Sequence, residues 1–156
     1  MKTAIFGAGC FWGVQLAFDQ LEGVEKTRAG YIGGELQNPT YRQVCQGDSG
    51  HAEVVEITYD ESVISYSTLL TTFWTLHDPT QVDRQGVDIG KQYRSAIFYT
   101  DESQRQAAEQ AIQQLTENKA YAKPIATEVT AASTFYEAEE YHQDYLVKNG
   151  LSSCTV

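Results

Sequence analysis

The chain has 156 residues, about one domain's length, with 42% hydrophobic and 21% charged residues. That composition excludes collagenous, disordered and disulfide-scaffold classes and leaves enough core to fold without metal or cross-links. Eleven lysines and arginines against 21 aspartates and glutamates give a net charge of −10, which repels a phosphate backbone or an anionic membrane and argues against a nucleic-acid partner.

Lys2 to Ala8 is a short apolar run closed by Gly7 and Gly9, and it predicts a strand. Cys10 to Leu21 then carries Val14, Ala17, Phe18 and Leu21 at helical spacing, so the opening reads strand, tight turn, helix, with Cys10 at the helix start. The apolar stretch Ala4 to Val14 is too short to span a bilayer and lacks the shape of a cleavable signal. Val24 to Ile32 predicts a second strand, ended by Gly33 and Gly34, and Glu35 to Gly50 reads as loop with a short helical turn at Tyr41 to Cys45. A strand at Glu53 to Tyr59 is followed by a helix at Tyr66 to His77, with Leu69, Leu70, Phe73 and Trp74 on one face. A long polar loop, Asp78 to Gln92, leads to a strand at Tyr93 to Tyr99.

Asp101 caps a helix whose stripe of Ala108, Ala111, Ile112 and Leu115 ends near Asn118. The last strand is read at Ile125 to Thr130 and the last helix at Glu137 to Lys148. Strands alternating with helices predict an α/β two-layer sandwich, a sheet with helices mainly on one face. No repeat or linker breaks the chain, so residues 1–148 read as one catalytic domain and 149–156 as a flexible tail.

Cys10 would sit where backbone N–H groups at a helix amino terminus favour an anion, which lowers a thiol pKa from about 8.5 toward neutrality. It could equally be a buried cysteine packed as a small hydrophobe. Phe11 and Trp12 fit either core or the wall of an apolar pocket. Glu53 is in phase with Val55, Ile57 and Tyr59, so its carboxyl either points to an apolar face, where burial keeps a proton available, or begins the strand at a solvated edge. Tyr93, in phase with Ile97 and Tyr99, offers a phenol to the same pocket or packs as an ordinary tyrosine.

Three cysteines, an odd number in a chain without an export signal, indicate reduced thiols and a cytoplasmic protein. Cys154 lies on small residues near the end, suited to a resolving thiol or present incidentally. Cys45 reads as structural. His51, His77 and His142 lack metal-ligand spacing, so no metal is expected. Gly7-Ala8-Gly9 is half a dinucleotide fingerprint, but Trp12 stands at the third glycine position, which excludes that site.

Gly9-Cys10-Phe11-Trp12-Gly13, Gly30-Tyr31 with Gly33-Gly34, Asn38-Pro39-Thr40-Tyr41, Gly50-His51-Ala52-Glu53, Asp88 with Gly90, Gln92-Tyr93-Arg94-Ser95 and Tyr141-His142-Gln143 follow one another across nearly the whole chain. In this order they closely resemble the A-type peptide-methionine sulfoxide reductases. The resemblance implies a ferredoxin-like core with a mixed sheet, and reduction of the S epimer of methionine sulfoxide, free or in proteins. It implies that Cys10 attacks the sulfoxide sulfur and Glu53 protonates the oxygen. Tyr41 and Tyr93 would help bind that oxygen, Phe11 and Trp12 would hold the substrate methyl group, and Asp88 would help position the substrate. Cys154 would resolve the Cys10 sulfenic acid as a disulfide. No cofactor is implied beyond an external thiol reductant, thioredoxin, and the enzyme would act as a monomer on oxidised proteins or peptides.

The tail departs from many relatives. Asn149-Gly150-Leu151-Ser152-Ser153 precedes Cys154, and no further cysteine follows, so the resemblance implies a two-cysteine relay. A thiol peroxidase, a cysteine hydrolase using His51 or His142, and a non-catalytic binding module are the competing readings. Around Cys10 there is no arginine and threonine to polarise a peroxide, whereas Phe11 and Trp12 suit a methyl sulfoxide.

Overall fold

Strand β1 (Lys2–Ala8) alternates side chains between two apolar environments, with Ala4, Phe6 and Ala8 in one buried cluster and Ile5 in another. A strand apolar on both faces belongs in the sheet interior. In the computed structural model, which describes residues 1–151, β1 is flanked by β3 (Ala52–Tyr59) and β6 (Ser95–Tyr99), both antiparallel to it. β2 (Val24–Ile32) pairs antiparallel with β3, and β7 (Glu128–Ala131) runs parallel to β6. A two-residue strand, Tyr136–Glu137, pairs with β2 at Gly30 and Tyr31 and closes the other edge. The six-stranded mixed sheet thus has one edge strand of two residues and one of four.

Helices α1 (Phe11–Asp19), α2 (Tyr41–Cys45), α3 (Tyr66–Thr75) and α4 (Glu102–Glu117) supply Phe18, Val44, Phe73 and Ala108 to the cluster on the Phe6 face. The Phe6 ring stacks with Phe73 at 5.1 Å and Phe18 at 5.5 Å between centroids, joining α1 and α3 across β1. On the opposite face Ile5, Ile32, Val54 and Phe98 are covered by Ala132 and Phe135 rather than by a helix. Local chemistry starts the helices: Thr40 and Gln43 form a reciprocal capping box on α2, and the Ser65 and Asp101 side chains accept the N–H groups of Thr68 and Gln104 at α3 and α4.

The predicted strands β1 and β2 and the turn at Tyr41–Cys45 stand where the sequence places them. Four expectations are corrected. The loop from Asp78 contains a short hairpin, β4 (Arg84–Gln85) and β5 (Asp88–Ile89), before a 3-10 turn over Lys91–Tyr93. Tyr93 ends that turn, and β6 begins only at Ser95. β7 starts at Glu128 rather than Ile125.

Most importantly, Glu137 to Lys148 is no continuous helix. It divides into the edge strand β8 (Tyr136–Glu137), a 3-10 turn over Glu140–His142, and a four-residue helix α5 (Tyr145–Lys148). The reason is the Gln143 side chain, which accepts the Ala29 N–H at 2.8 Å and donates to the Ala29 and Ala138 carbonyls at 2.9 Å each. A primary amide thereby continues the ladder where β8 stops, and Asp144 beside it takes a left-handed conformation (φ 53°) that interrupts any helix. No helix among the described residues is long and apolar enough to cross a membrane.

Candidate active site

Cys10 occupies the N-cap of α1, half-buried, immediately after the turn that leaves β1. Gly9 makes that turn possible: its φ of +95° suits glycine, and a Cβ there would lie 3.1 Å from the Gln85 side chain. Gln85 in turn accepts the Asp78 N–H at 3.0 Å and donates to the Asp78 carbonyl at 2.8 Å, seating the β4–β5 hairpin against the thiol-bearing turn. Cys10 and Asp88 both line a groove of about 360 Å³ that runs along Gly13 and Ala17 of α1. A larger cavity of about 960 Å³ adjoins it at Leu76 and His77, but its lining contains no cysteine.

Glu53 is 1% exposed although it stands near the start of β3. β3 lies between β1 and β2, so its helix-side residues face α1 rather than solvent. The Glu53 Oε1 accepts the backbone N–H of Phe11 at 3.2 Å. The carboxyl is therefore bound to the first residue after Cys10.

Phe11 is fully buried, and around it stand Tyr31 at 5.7 Å, Tyr41 at 6.2 Å and His142 at 5.5 Å between ring centroids. Trp12 is only partly buried. Its indole stacks on Tyr145 at 3.9 Å and donates from Nε1 to His142 Nδ1 at 3.0 Å. That bond requires an unprotonated Nδ1, and burial holds the His142 ring below its ordinary pKa against the opposing charge of Glu139.

Tyr41 and Tyr93 share an electrostatic neighbourhood with Glu53. The Tyr41 phenol is pushed up by burial, then by a hydrogen bond with the Cys45 thiol and the Glu53 charge. Tyr93 is pushed up by burial, then by Glu53, Cys45, Asp88 and Cys10 in decreasing order. Both phenols stay protonated donors at neutral pH. Of the sequence-predicted set, Cys10, Phe11, Glu53, Tyr41 and Tyr93 are drawn together and Trp12 borders them. Asp88 lines the groove that Cys10 also lines, and Cys154 lies outside the described residues.

Three neighbours of the site had no part in this reaction in the sequence reading. Cys45, read as structural, is exposed as a residue rather than packed in the core. Burial still pushes its thiol up, while hydrogen bonds with Tyr41 and Tyr93 pull it down. His142 and Glu139 border the aromatic cluster from the turn that replaces the predicted helix. The Tyr141-His142-Gln143 motif was the available signal for this turn. Among the described residues no group of three or more His, Cys, Asp or Glu is placed to hold a metal.

Known proteins share this chain's sequence and fold along nearly its whole length. The chain is 56% identical over 153 residues to the peptide methionine sulfoxide reductase MsrA of Methanothermobacter thermautotrophicus, covering 98% of this chain and 90% of that one. Its fold superposes on reduced Mxr1 of Saccharomyces cerevisiae with a TM-score of 0.89 at 32% identity, over 96% of this chain and 86% of the other. That yeast protein is also solved in complex with Trx2. Methionine sulfoxide reductase A of Corynebacterium diphtheriae gives a TM-score of 0.87 at 37% identity, over 99% and 77%. Since the sequence model described as peptide methionine sulfoxide reductase also matches residues 2–156, the chain belongs to that family, in its MsrA branch.

Proposed function

We propose that this enzyme reduces the S epimer of methionine sulfoxide, free or within proteins, using Cys10 as nucleophile and Glu53 as acid. The observation that carries the reading is the hydrogen bond from Phe11 N–H to Glu53 Oε1, because it fixes a buried carboxyl beside the residue bearing the thiol. A sulfoxide oxygen leaves poorly until protonated, and a thiol attacks poorly until ionised. The amino terminus of α1 favours negative charge at the sulfur, and Glu53, 1% exposed and held by the Phe11 N–H, is the carboxyl placed to pass a proton to the oxygen. Tyr41 and Tyr93, held protonated, donate to the oxygen, while Phe11 and Trp12 receive the methyl group and Asp88 helps position the substrate from the groove.

In the first step the Cys10 sulfur bonds to the sulfoxide group, the oxygen passes to Cys10, and methionine departs. The thiol is oxidised to a sulfenic acid as the sulfoxide is reduced. Cys154 then attacks that sulfenic acid, water leaves, and a Cys10–Cys154 disulfide remains. Thioredoxin supplies the two thiols that reopen it, a partner supported by the yeast relative's complex with Trx2. Burial raises the Cys45 thiol above its ordinary range, which makes it a weaker nucleophile at neutral pH. On this reading residues 1–148 form the catalytic domain on a ferredoxin-like core and residues 149–156 form the resolving tail of a cytoplasmic monomer.

The test mixes fully reduced protein with a methionine-S-sulfoxide peptide and no other reductant. One methionine per chain should appear, two thiols should disappear, and peptide mapping should join Cys10 to Cys154. The R epimer should give nothing, and Cys10→Ser should release no methionine. A Cys10–Cys45 link would move resolution to the interior thiol, and turnover of the R epimer would refute the stereochemical assignment.

A further inference from the structure

Glu139 opens the 3-10 turn that replaces the predicted last helix, and its carboxylate joins three separate elements. Oε1 accepts the Tyr31 hydroxyl at 2.9 Å from β2, and Oε2 accepts the Tyr41 backbone N–H at 3.0 Å from the first residue of α2. The Tyr141 hydroxyl donates to Oε2 at 3.3 Å. The Tyr31 that fixes this carboxylate is fully buried on a strand interior to the sheet.

The same turn holds Tyr41 a second time. The His142 N–H donates to the Glu139 carbonyl at 2.9 Å, and the His142 ring packs on the Tyr41 ring at 4.1 Å between centroids. Tyr41 is therefore gripped at its backbone by Glu139 and on its ring face by His142, both anchored to one turn. α2 has only five residues, too few to hold its own position by helical cooperativity. Val44 seats its far end in the core, and its first turn is fixed by the capping box at Thr40 and by this carboxylate.

We infer that Glu139 is a positioning residue for the reaction, setting the Tyr41 hydroxyl where it donates to the sulfoxide oxygen while itself touching no substrate. The inference rests on the role proposed above for Tyr41. Its ionised state fits the task. Burial pushes the carboxyl up, but hydrogen bonds from the Tyr41 N–H, its own N–H and the Tyr31 hydroxyl outweigh that and hold it low. An acceptor charged throughout the working pH range grips an N–H more firmly than a neutral one.

A double-mutant cycle tests this with Glu139→Ala and Tyr41→Phe, singly and together, reading single-turnover methionine release. Loss of positioning by Glu139→Ala should slow the chemical step on the order of 10- to 100-fold. In the Tyr41→Phe background the same change should cost no more than about threefold further, because the hydroxyl being positioned is already gone. Glu139→Gln should restore most of the rate, since an amide oxygen can still accept the Tyr41 N–H. If Glu139→Ala proves too unstable to assay, Tyr31→Phe loosens the carboxylate from the opposite side and runs through the same cycle.

Independent, multiplicative losses would overturn the inference and leave the Tyr41 role intact, as would a Glu139→Ala enzyme of wild-type rate. A Tyr41→Phe enzyme of wild-type rate would overturn both, beginning with the role of Tyr41.

Discussion

Glu53 shows how one residue can be legible in type and ambiguous in place. Its phase with Val55 and Ile57 allows either an apolar face or a solvated strand end, and the pattern cannot choose because it does not say where β3 sits in the sheet. Flanking by β1 and β2 decides it, leaving the side chain 1% exposed and bonded to Phe11. Glu53→Gln keeps the acceptor for that N–H and loses only the transferable proton. Its rate of methionine release should fall by about two to four orders of magnitude with a much smaller change in KM. Steady-state kinetics at neutral pH checks this, and an unchanged kcat would assign the proton to another donor. Cys10 was the easier residue to read, since the glycine before it and the apolar spacing after it both mark a helix start.

At the scale of elements, the first 45 residues were readable because β1, α1, β2 and α2 each carry their own boundary, whether glycine, helical spacing or cap. The segment from Tyr136 to Lys148 was not, because its conformation is set by residues more than a hundred positions away. Gln15 illustrates this: its Oε1 accepts the Asp144 N–H at 2.9 Å and its Nε2 donates to Gln143 Oε1 at 3.3 Å. Helical periodicity is a local signal and cannot register an amide that substitutes for a strand. Gln143→Ala would strip the buried Ala29 N–H of this partner and leave the Ala29 carbonyl with only the Ala138 N–H, at a cost of about 1–3 kcal/mol. Urea unfolding measures the loss, and a change below about 1 kcal/mol would show that water or a shifted backbone takes over the role. The β4–β5 hairpin leaves no mark in the sequence pattern for a related reason: with two residues per strand, it is too short to show alternation.

Over the whole molecule, His77 gives stability a pH dependence that the charge count does not suggest. Burial holds its ring down at about 4, well below the ordinary 6.5, while it bonds with the Ser95 hydroxyl at 2.7 Å and the Phe73 carbonyl at 3.0 Å. The unfolded chain takes up a proton near pH 6.5 that the folded chain refuses until about 4. This contribution is therefore full above pH 6.5 and is lost as pH falls through that window. Asp19 works in the opposite sense: burial raises its carboxyl to about 6, so its contribution declines as pH rises through that value. His77→Gln isolates the first effect. Urea midpoints at pH 7, 5.5 and 4.5 should fall less steeply for the variant than for the wild type, and parallel slopes would remove His77 from the acid response.

The short outer strands of the sheet bear on how a polypeptide client can be held. β8 with two residues and β7 with four offer almost no ladder for an incoming extended segment to join. On the proposed function, a peptide would gain little by adding a strand there, and its hold would come from the oxidised side chain it inserts. An enzyme working in that way would read a lesion rather than a sequence, and lesions scattered across unrelated proteins would become equivalent to it once each is sterically within reach.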